Sequence, residues 1–260
     1  MTVRQPTPQA HGANARTDER KNMTTSNEAA SRHEPIHWHR QSCWVTPQIN
    51  LTGDLHESPT RALDQLDGWV TSGVTDIIDV RIEGTDEPFV AAHAPDVNYI
   101  WLGVDDDGGR QPDEWFDRGV EAALATLADP NHRIVVHCHM GVNRGPSMGF
   151  AILLALGWDP IEALDAIRAA RPIARVLYAD DAISWWLRRN GASAADVSAG
   201  ISAVQRWHYD NPLDTSWVIS RIRLGGTDLW KPLSSKGFGA FCRTGDFLSL
   251  RPPVASFRPT

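Results

Sequence analysis

Arg133-Ile134-Val135-Val136-His137, followed directly by Cys138-His139-Met140-Gly141-Val142-Asn143-Arg144, is the stretch on which the fold turns. The run from Arg133 to His137 is β-branched and short, the pattern of a strand buried on both faces. After Arg144 the apolar stretch Met148 to Leu156 reads as a buried helix. The segment between them leaves the carboxyl end of a central strand and enters a helix. Open α/β sheets bind their ligands at such ends.

Working outward, Ser58 is placed to cap a helix with Pro59 in its first turn. Leu63, Leu66, Trp69 and Val70 recur there at helical spacing until Gly73 stops it. Asp76–Val80 and Asn98–Leu102 read as strands separated by a polar turn around Gly84 to Pro88, and a helix follows over Asp113–Ala128. Further short strands are expected between Ile36 and Leu55, punctuated by Pro47 and Gly53. Downstream, Asp159-Pro160-Ile161-Glu162 opens a helix with an N-cap, a proline at the first position and a capping-box glutamate. Helices are expected over Asp180–Arg189 and Ser193–Trp207, whereas beyond Asn211 the pattern is irregular, with Gly225-Gly226, Gly237 and Gly239. The alternation implies an α/β fold, a central mostly parallel sheet flanked by helices.

The 260 residues accommodate one sizeable core with extensions. Met1 to about Glu34 is polar without hydrophobic period, so residues 1–35 are expected to be a disordered tail. Residues 36–192 then form the main folded domain, and 193–260 an extension with no readable role. A net charge of −7 and a pI of about 5.8 repel polyanions, so nucleic acid is not an expected partner. Cys43, Cys138 and Cys242 lie too far apart for a disulfide framework, which points to a reducing compartment. No apolar run reaches the roughly 18 to 20 residues that span a bilayer, and no signal core opens the chain, so the expectation is a cytoplasmic protein with no membrane partner. The sequence sets no oligomeric state.

Five residues separate Cys138 from Arg144. A loop of that length can curl so that its N–H groups converge on one tetrahedral oxyanion, with the amino end of the following helix adding positive charge. Gly141 permits the tight curl. The same field favours the Cys138 thiolate, since helix N-termini and neighbouring cations lower a cysteine pKa from about 8.5 toward about 3.5 to 7.5. Arg144 carries a planar fork that matches two phosphoryl oxygens.

His137-Cys138, Gly141 and Arg144, set between a strand and a helix, resemble the signature loop of the cysteine-based protein tyrosine phosphatase superfamily, most closely the dual-specificity branch. The resemblance covers about Gln41 to Gly191 and resumes in Glu162-Ala163 and Arg168-Ala169-Ala170-Arg171-Pro172. It implies a phosphomonoesterase acting on phosphotyrosine or phosphoserine/threonine proteins, with Cys138 as nucleophile and Arg144 as phosphate clamp. His137, His139, Met140, Gly141, Val142 and Asn143 form the phosphate loop, with no metal and no other cofactor. His137 would support the loop. The family's general acid falls on Asp105-Asp106-Asp107, and register with Trp115-Phe116-Asp117 selects Asp106, 32 positions before Cys138. The family's Ser or Thr after the arginine is here Gly145, with Ser147 two residues late, which implies slow turnover of a phosphoenzyme. The family's usual Asn is replaced near Tyr178-Ala179-Asp180.

Other readings compete with this one. Gly141-Val142-Asn143-Arg144 also resembles the loop of RNA 5′-triphosphatases, although the acidic charge opposes that substrate. A loop without lysine disfavours phosphoinositides. A phosphate-binding module of low turnover fits Gly145, and a sulfurtransferase or arsenate reductase uses a similar loop. His37, His39 and Cys43 with His137 to His139 are zinc-ligand types without standard spacing, so His37 and His39 read as surface residues. The 11 tryptophans read mainly as core anchors.

Overall fold

In the computed structural model of the protein the described residues are 38–224, together with Met1. The N-terminal tail with His37, and the stretch beyond Leu224 with Trp230 and Cys242, lie outside them. A 3-10 turn at Trp38–Arg40 leads into five strands: β1 Cys43–Trp44, β2 Ile49–Thr52, β3 Val74–Arg81, β4 Asn98–Val104 and β5 Arg133–His137. They form one sheet of order β1-β2-β5-β3-β4, in which β2, β5, β3 and β4 run parallel and β1 is an antiparallel edge. The expected mostly parallel sheet is therefore present, and β5 is its middle strand.

β5 shows why its sequence lacks the alternation of a half-exposed strand. Ile134 and Val136 enter a cluster with Leu51, Ile78, Phe116, Met148 and Phe150, while Val135 joins Leu66, Trp69, Ile77 and Val90 in a second cluster. Each face is covered, and each fully buried aliphatic side chain contributes about 1.5–3 kcal/mol. One face packs on α3 (Asp113–Leu127) and α4 (Arg144–Ala155); the other cluster draws on α1 (Pro59–Thr71) and α2 (Glu87–His93). α4 is buried from Arg144 to Leu154, which accounts for its all-round apolar composition.

Most expected elements fall where sequence places them. Asp159 caps α5 (Pro160–Ala170) by accepting from the N–H groups of Ile161 and Glu162, and α6 spans Ala179–Arg189. α7 (Ala194–Asp210) opens on a capping box between Ser193 and Asp196. Two elements differ from expectation. The turn around Gly84 to Pro88 continues into α2, whose Pro88 sits in the first turn, where a missing N–H costs nothing. The irregular region after Asn211 contains α8 (Thr215–Arg223), held by Val218 and Ile222 on one face. His39, read as a surface residue, is buried at 3% exposure. Its carbonyl accepts from Gly53 and Arg171, and its place is set by backbone pairing rather than by side-chain polarity. Trp69, Trp115, Trp185 and Trp207 are core anchors, while Trp101 remains half-exposed. Among the described residues no helix is long and apolar enough to cross a membrane.

Candidate active site

The parallel strands end in register: Thr52 pairs with His137 and His137 with Asp79, while Arg81 pairs with Val104. The residues just past those ends are Asp54, Glu83, Asp106 and Cys138, so four distant segments deliver them to one end of the sheet. Cys138 is 2% exposed, and the loop 139–143 wraps in front of α4.

Every loop carbonyl is bonded outward. The His139 carbonyl accepts from the Asp54 N–H (3.2 Å), and that of Val142 from the Arg175 N–H (2.6 Å). The Asn143 carbonyl accepts from the Ser147 N–H (2.8 Å). Arg171 donates from Nη2 to Met140 (3.2 Å) and from Nε to Gly141 (2.5 Å). In a planar trans peptide the next N–H points opposite its carbonyl, so the amides of residues 140–144 face inward. Gly141 has φ +60, and a Cβ there would stand 2.2 Å from Arg171 Nη2 and 2.6 Å from the Thr52 carbonyl. Only glycine fits both the angle and the space.

Burial pushes the Cys138 thiol up from its ordinary value, and the Asp106 charge adds to that. Arg144 and the N–H groups of Gly145 and Gly141 pull the other way. The net direction is upward, where the loop's field alone was expected to take it down, because the sulfur is removed from water more completely than the sequence reveals.

Arg144 is held by a carboxylate that sequence reading missed. Its Nη1 donates to Glu83 Oε2 (2.6 Å) and to the Val104 carbonyl (2.9 Å), and its Nη2 to Glu83 Oε1 (2.5 Å). This bidentate contact takes the Glu83 carboxyl down to about 2 and, despite burial, raises the Arg144 guanidinium. Arg144 Nε is buried without a hydrogen-bond partner and lies 3.5 Å from Asp106 Oδ2. Of the three aspartates, the structure brings Asp106 to Arg144. Its Oδ1 accepts from Asn143 Nδ2 (2.6 Å) and the Tyr178 hydroxyl (2.9 Å). Asp107 instead accepts from the Gly109 N–H in a local turn, and Asp105 contributes its carbonyl to Gln111. Burial, then Asp106, pushes the Tyr178 phenol up to about 12, so the hydroxyl stays protonated as a donor.

Behind the loop lies an ionic network. Asp54 accepts from Arg40 (3.0 Å), Arg81 (2.9 Å) and His139 Nδ1 (2.7 Å), and Arg81 also meets Asp79 (2.9 Å) and Asp86 (2.8 Å). The Asp54 hydrogen bond raises the His139 pKa above its ordinary value. Burial alone would push Asp54 up, but His139, Arg40 and Arg81 together hold it low. His137, expected to support the loop through hydrogen bonds, instead lies tilted beside Trp69 with both ring nitrogens buried and without a hydrogen-bond partner, 3.8 Å from Asp79 at the closest. Met140 and Val142 pack with Ile173, Leu213, Val218 and Ile222, so α8 backs the loop. Gly145 stands where a Cβ would lie 3.2 Å from the Cys138 nitrogen, and Ser147 turns away to Asn143 and Tyr178. Glu83 carries no local motif, and the resemblance, which includes Arg171 and Tyr178, assigns them no role in the site. The signal that could have found Glu83 is its place two residues past a parallel strand.

No family model matches the chain, and no curated protein does. Among solved structures it is similar to human DUSP28, with 18% identity, a TM-score of 0.49, and coverage of 59% of this chain and 100% of that one. PTPMT1 matches with 21% identity, a TM-score of 0.47, and coverage of 58% of this chain and 97% of that one. A mouse putative dual specificity phosphatase complexed with zinc tungstate matches with 20% identity, a TM-score of 0.48, and coverage of 65% and 97%.

Proposed function

We propose that the chain hydrolyses phosphomonoesters, on phosphotyrosine or phosphoserine/threonine proteins, through a cysteinyl-phosphate. The observation that carries the reading is the outward bonding of every carbonyl from His139 to Asn143, which leaves a ring of inward N–H groups around Cys138. Such a ring binds a tetrahedral oxyanion and stabilises the charge that builds on its oxygens in the transition state. Arg144, oriented by Glu83, turns toward Asp106 a buried Nε that makes no hydrogen bond.

The Cys138 proton leaves to solvent, and the thiolate attacks phosphorus, forming the S–P bond as the P–O ester bond breaks. Asp106, held by Asn143 and Tyr178, gives its proton to the departing oxygen. Water then attacks phosphorus, Asp106 takes the water's proton, and the S–P bond breaks to return the thiolate. The steps use only this chain's side chains, in the catalytic unit of residues 36–192. A reducing compartment, the cytoplasm, would keep the thiol available.

A second reading, phosphate capture with little turnover, is favoured by one observation: residue 145, where a hydroxyl would help sulfur leave, is glycine, and the Ser147 hydroxyl is engaged by Asn143 and Tyr178. Release of p-nitrophenol from its phosphate ester, in EDTA, separates the two. The native chain is expected to turn over, with a pre-steady-state burst if S–P cleavage is slow. Cys138→Ser should abolish release, and Asp106→Asn should cut kcat by about 10²–10⁴. Phosphopeptide binding with no more than one equivalent of product would replace hydrolysis with capture.

A further inference from the structure

Asp54, just past β2, holds the Cys138 loop at two points. Its backbone N–H donates to the His139 carbonyl (3.2 Å), and its Oδ2 lies 2.7 Å from His139 Nδ1. An ionised carboxylate only accepts, so Nδ1 carries a hydrogen and Nε2 takes the second proton when the ring charges. Asp54 is itself fixed from three further elements. Arg40 (3.0 Å) and Arg81 (2.9 Å) bond its carboxylate, and Gln65 Nε2 of α1 bonds its carbonyl (3.1 Å). Beside it, a Cβ on Gly53 would stand 2.8 Å from the His39 carbonyl and 3.0 Å from that of His139, so the segment 53–54 is pressed against the start of the loop.

The other loop carbonyls are fastened by groups that do not titrate near neutral pH. Arg171 bonds those of Met140 and Gly141, and the backbone N–H groups of Arg175 and Ser147 bond those of Val142 and Asn143. His139 differs. Its side chain is 43% exposed and is faced by Asp54 from the end of β2, by Glu83 from the end of β3 and by Arg40 from the 3-10 turn. When the ring loses its proton, the bond to Asp54 is no longer made by a charged donor, and the loop loses a cation one residue from Cys138. Asp54 then still meets Arg40 and Arg81, so its carboxylate stays in place while its hold on the loop weakens.

We propose that Asp54 is a positioning residue for oxyanion capture, acting through the protonated ring of His139, so that the loop grips an oxyanion more tightly with His139 charged than with it neutral. The inference rests on the reading of the Cys138 loop as an oxyanion cradle and adds the residue that makes its grip depend on pH. Coupling of this kind is reciprocal: a bound oxyanion raises the His139 midpoint by the same factor by which the His139 proton tightens the oxyanion.

The test uses the full chain carrying Cys138→Ser, which stops turnover and removes the thiol's own titration. Sulfate is the probe, because it stays a dianion across the range, and the His139 ring resonances are followed as sulfate is titrated at several pH values. The expected result is an affinity that falls about tenfold as pH rises through the His139 midpoint, and a midpoint about one pH unit higher in saturating sulfate. Adding Asp54→Asn should lower the midpoint and remove most of both effects, and Asp54→Glu should restore part of them. Should Asp54→Asn not fold, His139→Gln decides, because glutamine can keep a hydrogen bond to Asp54 but cannot titrate, so its sulfate affinity should be flat with pH. A His139 midpoint that ignores sulfate, an affinity that still falls in His139→Gln, or no sulfate binding at all overturns the proposal. Turnover of the native chain on p-nitrophenyl phosphate judges the hydrolytic reading separately. Sulfate coupled to His139 without turnover sinks hydrolysis alone, and turnover with an uncoupled His139 sinks this inference alone.

Discussion

Arg171 and Arg144 both reach the loop after β5, but the first meets its carbonyls from behind while the second faces the sulfur from the front. Arg171 is 1% exposed and donates to the carbonyls of His39, Gln41, Leu51, Met140 and Gly141. Its donors are committed to backbone, so its charge shapes the loop. Arg144 is fixed at its outer edge by Glu83 and Val104 and keeps Nε uncommitted beside Asp106. The difference separates scaffold from chemistry: a buried cation with every donor satisfied by the chain has nothing left for a ligand, whereas one with a spare buried donor has.

That contrast breaks if the two arginines respond alike to substitution. Arg171→Met should destabilise the chain by about 3–5 kcal/mol, read from urea unfolding, because several buried carbonyls lose a charged donor at once. Arg144→Lys should leave the urea midpoint nearly unchanged and lower kcat/KM by about 10²–10³, since an ammonium cannot hold Glu83 and the oxyanion together in one plane. Tyr178→Phe sharpens the contrast on the acid side: kcat should fall about tenfold with KM steady, as expected for one hydrogen bond to a charged group. His139→Gln tests the smallest effect. Because the folded His139 pKa is raised, the stability of its contact with Asp54 is fully present below 6.5 and is lost as pH rises through the folded value. The variant should flatten that fall in a series of thermal melts across neutral pH.

The sequence made the sheet and the loop legible because both are written locally. The β-branched run to His137, the cap at Asp159 and the glycine at 141 each act within a few residues. α2 escaped because it has seven residues and buries one side chain fully, Val90, too little to set a helical period. α8 escaped because its two anchors, Val218 and Ile222, find their partners in distant segments, Met140 and Val142 of the phosphate loop and Ile173. The site divides the same way. Cys138 and Arg144 share one local motif, and Asp106 was reached by register with the helix that follows it. Glu83, Tyr178 and Arg171 arrive from segments 61, 72 and 30 residues from the groups they bond, and nothing local marks what they bond. The depth of Cys138 was equally illegible, since burial is a property of the finished packing.

A carboxylate stands two residues past the end of β2, β3 and β4 alike: Asp54, Glu83 and Asp106. With a net charge of −7 on the whole chain, an anionic ester is opposed at long range and gripped only on contact by N–H dipoles. Salt shortens the reach of that opposition, to about 10 Å at 0.1 M, but leaves contact hydrogen bonds largely intact. The encounter therefore quickens as ionic strength rises, the reverse of a cleft that draws its substrate in by charge.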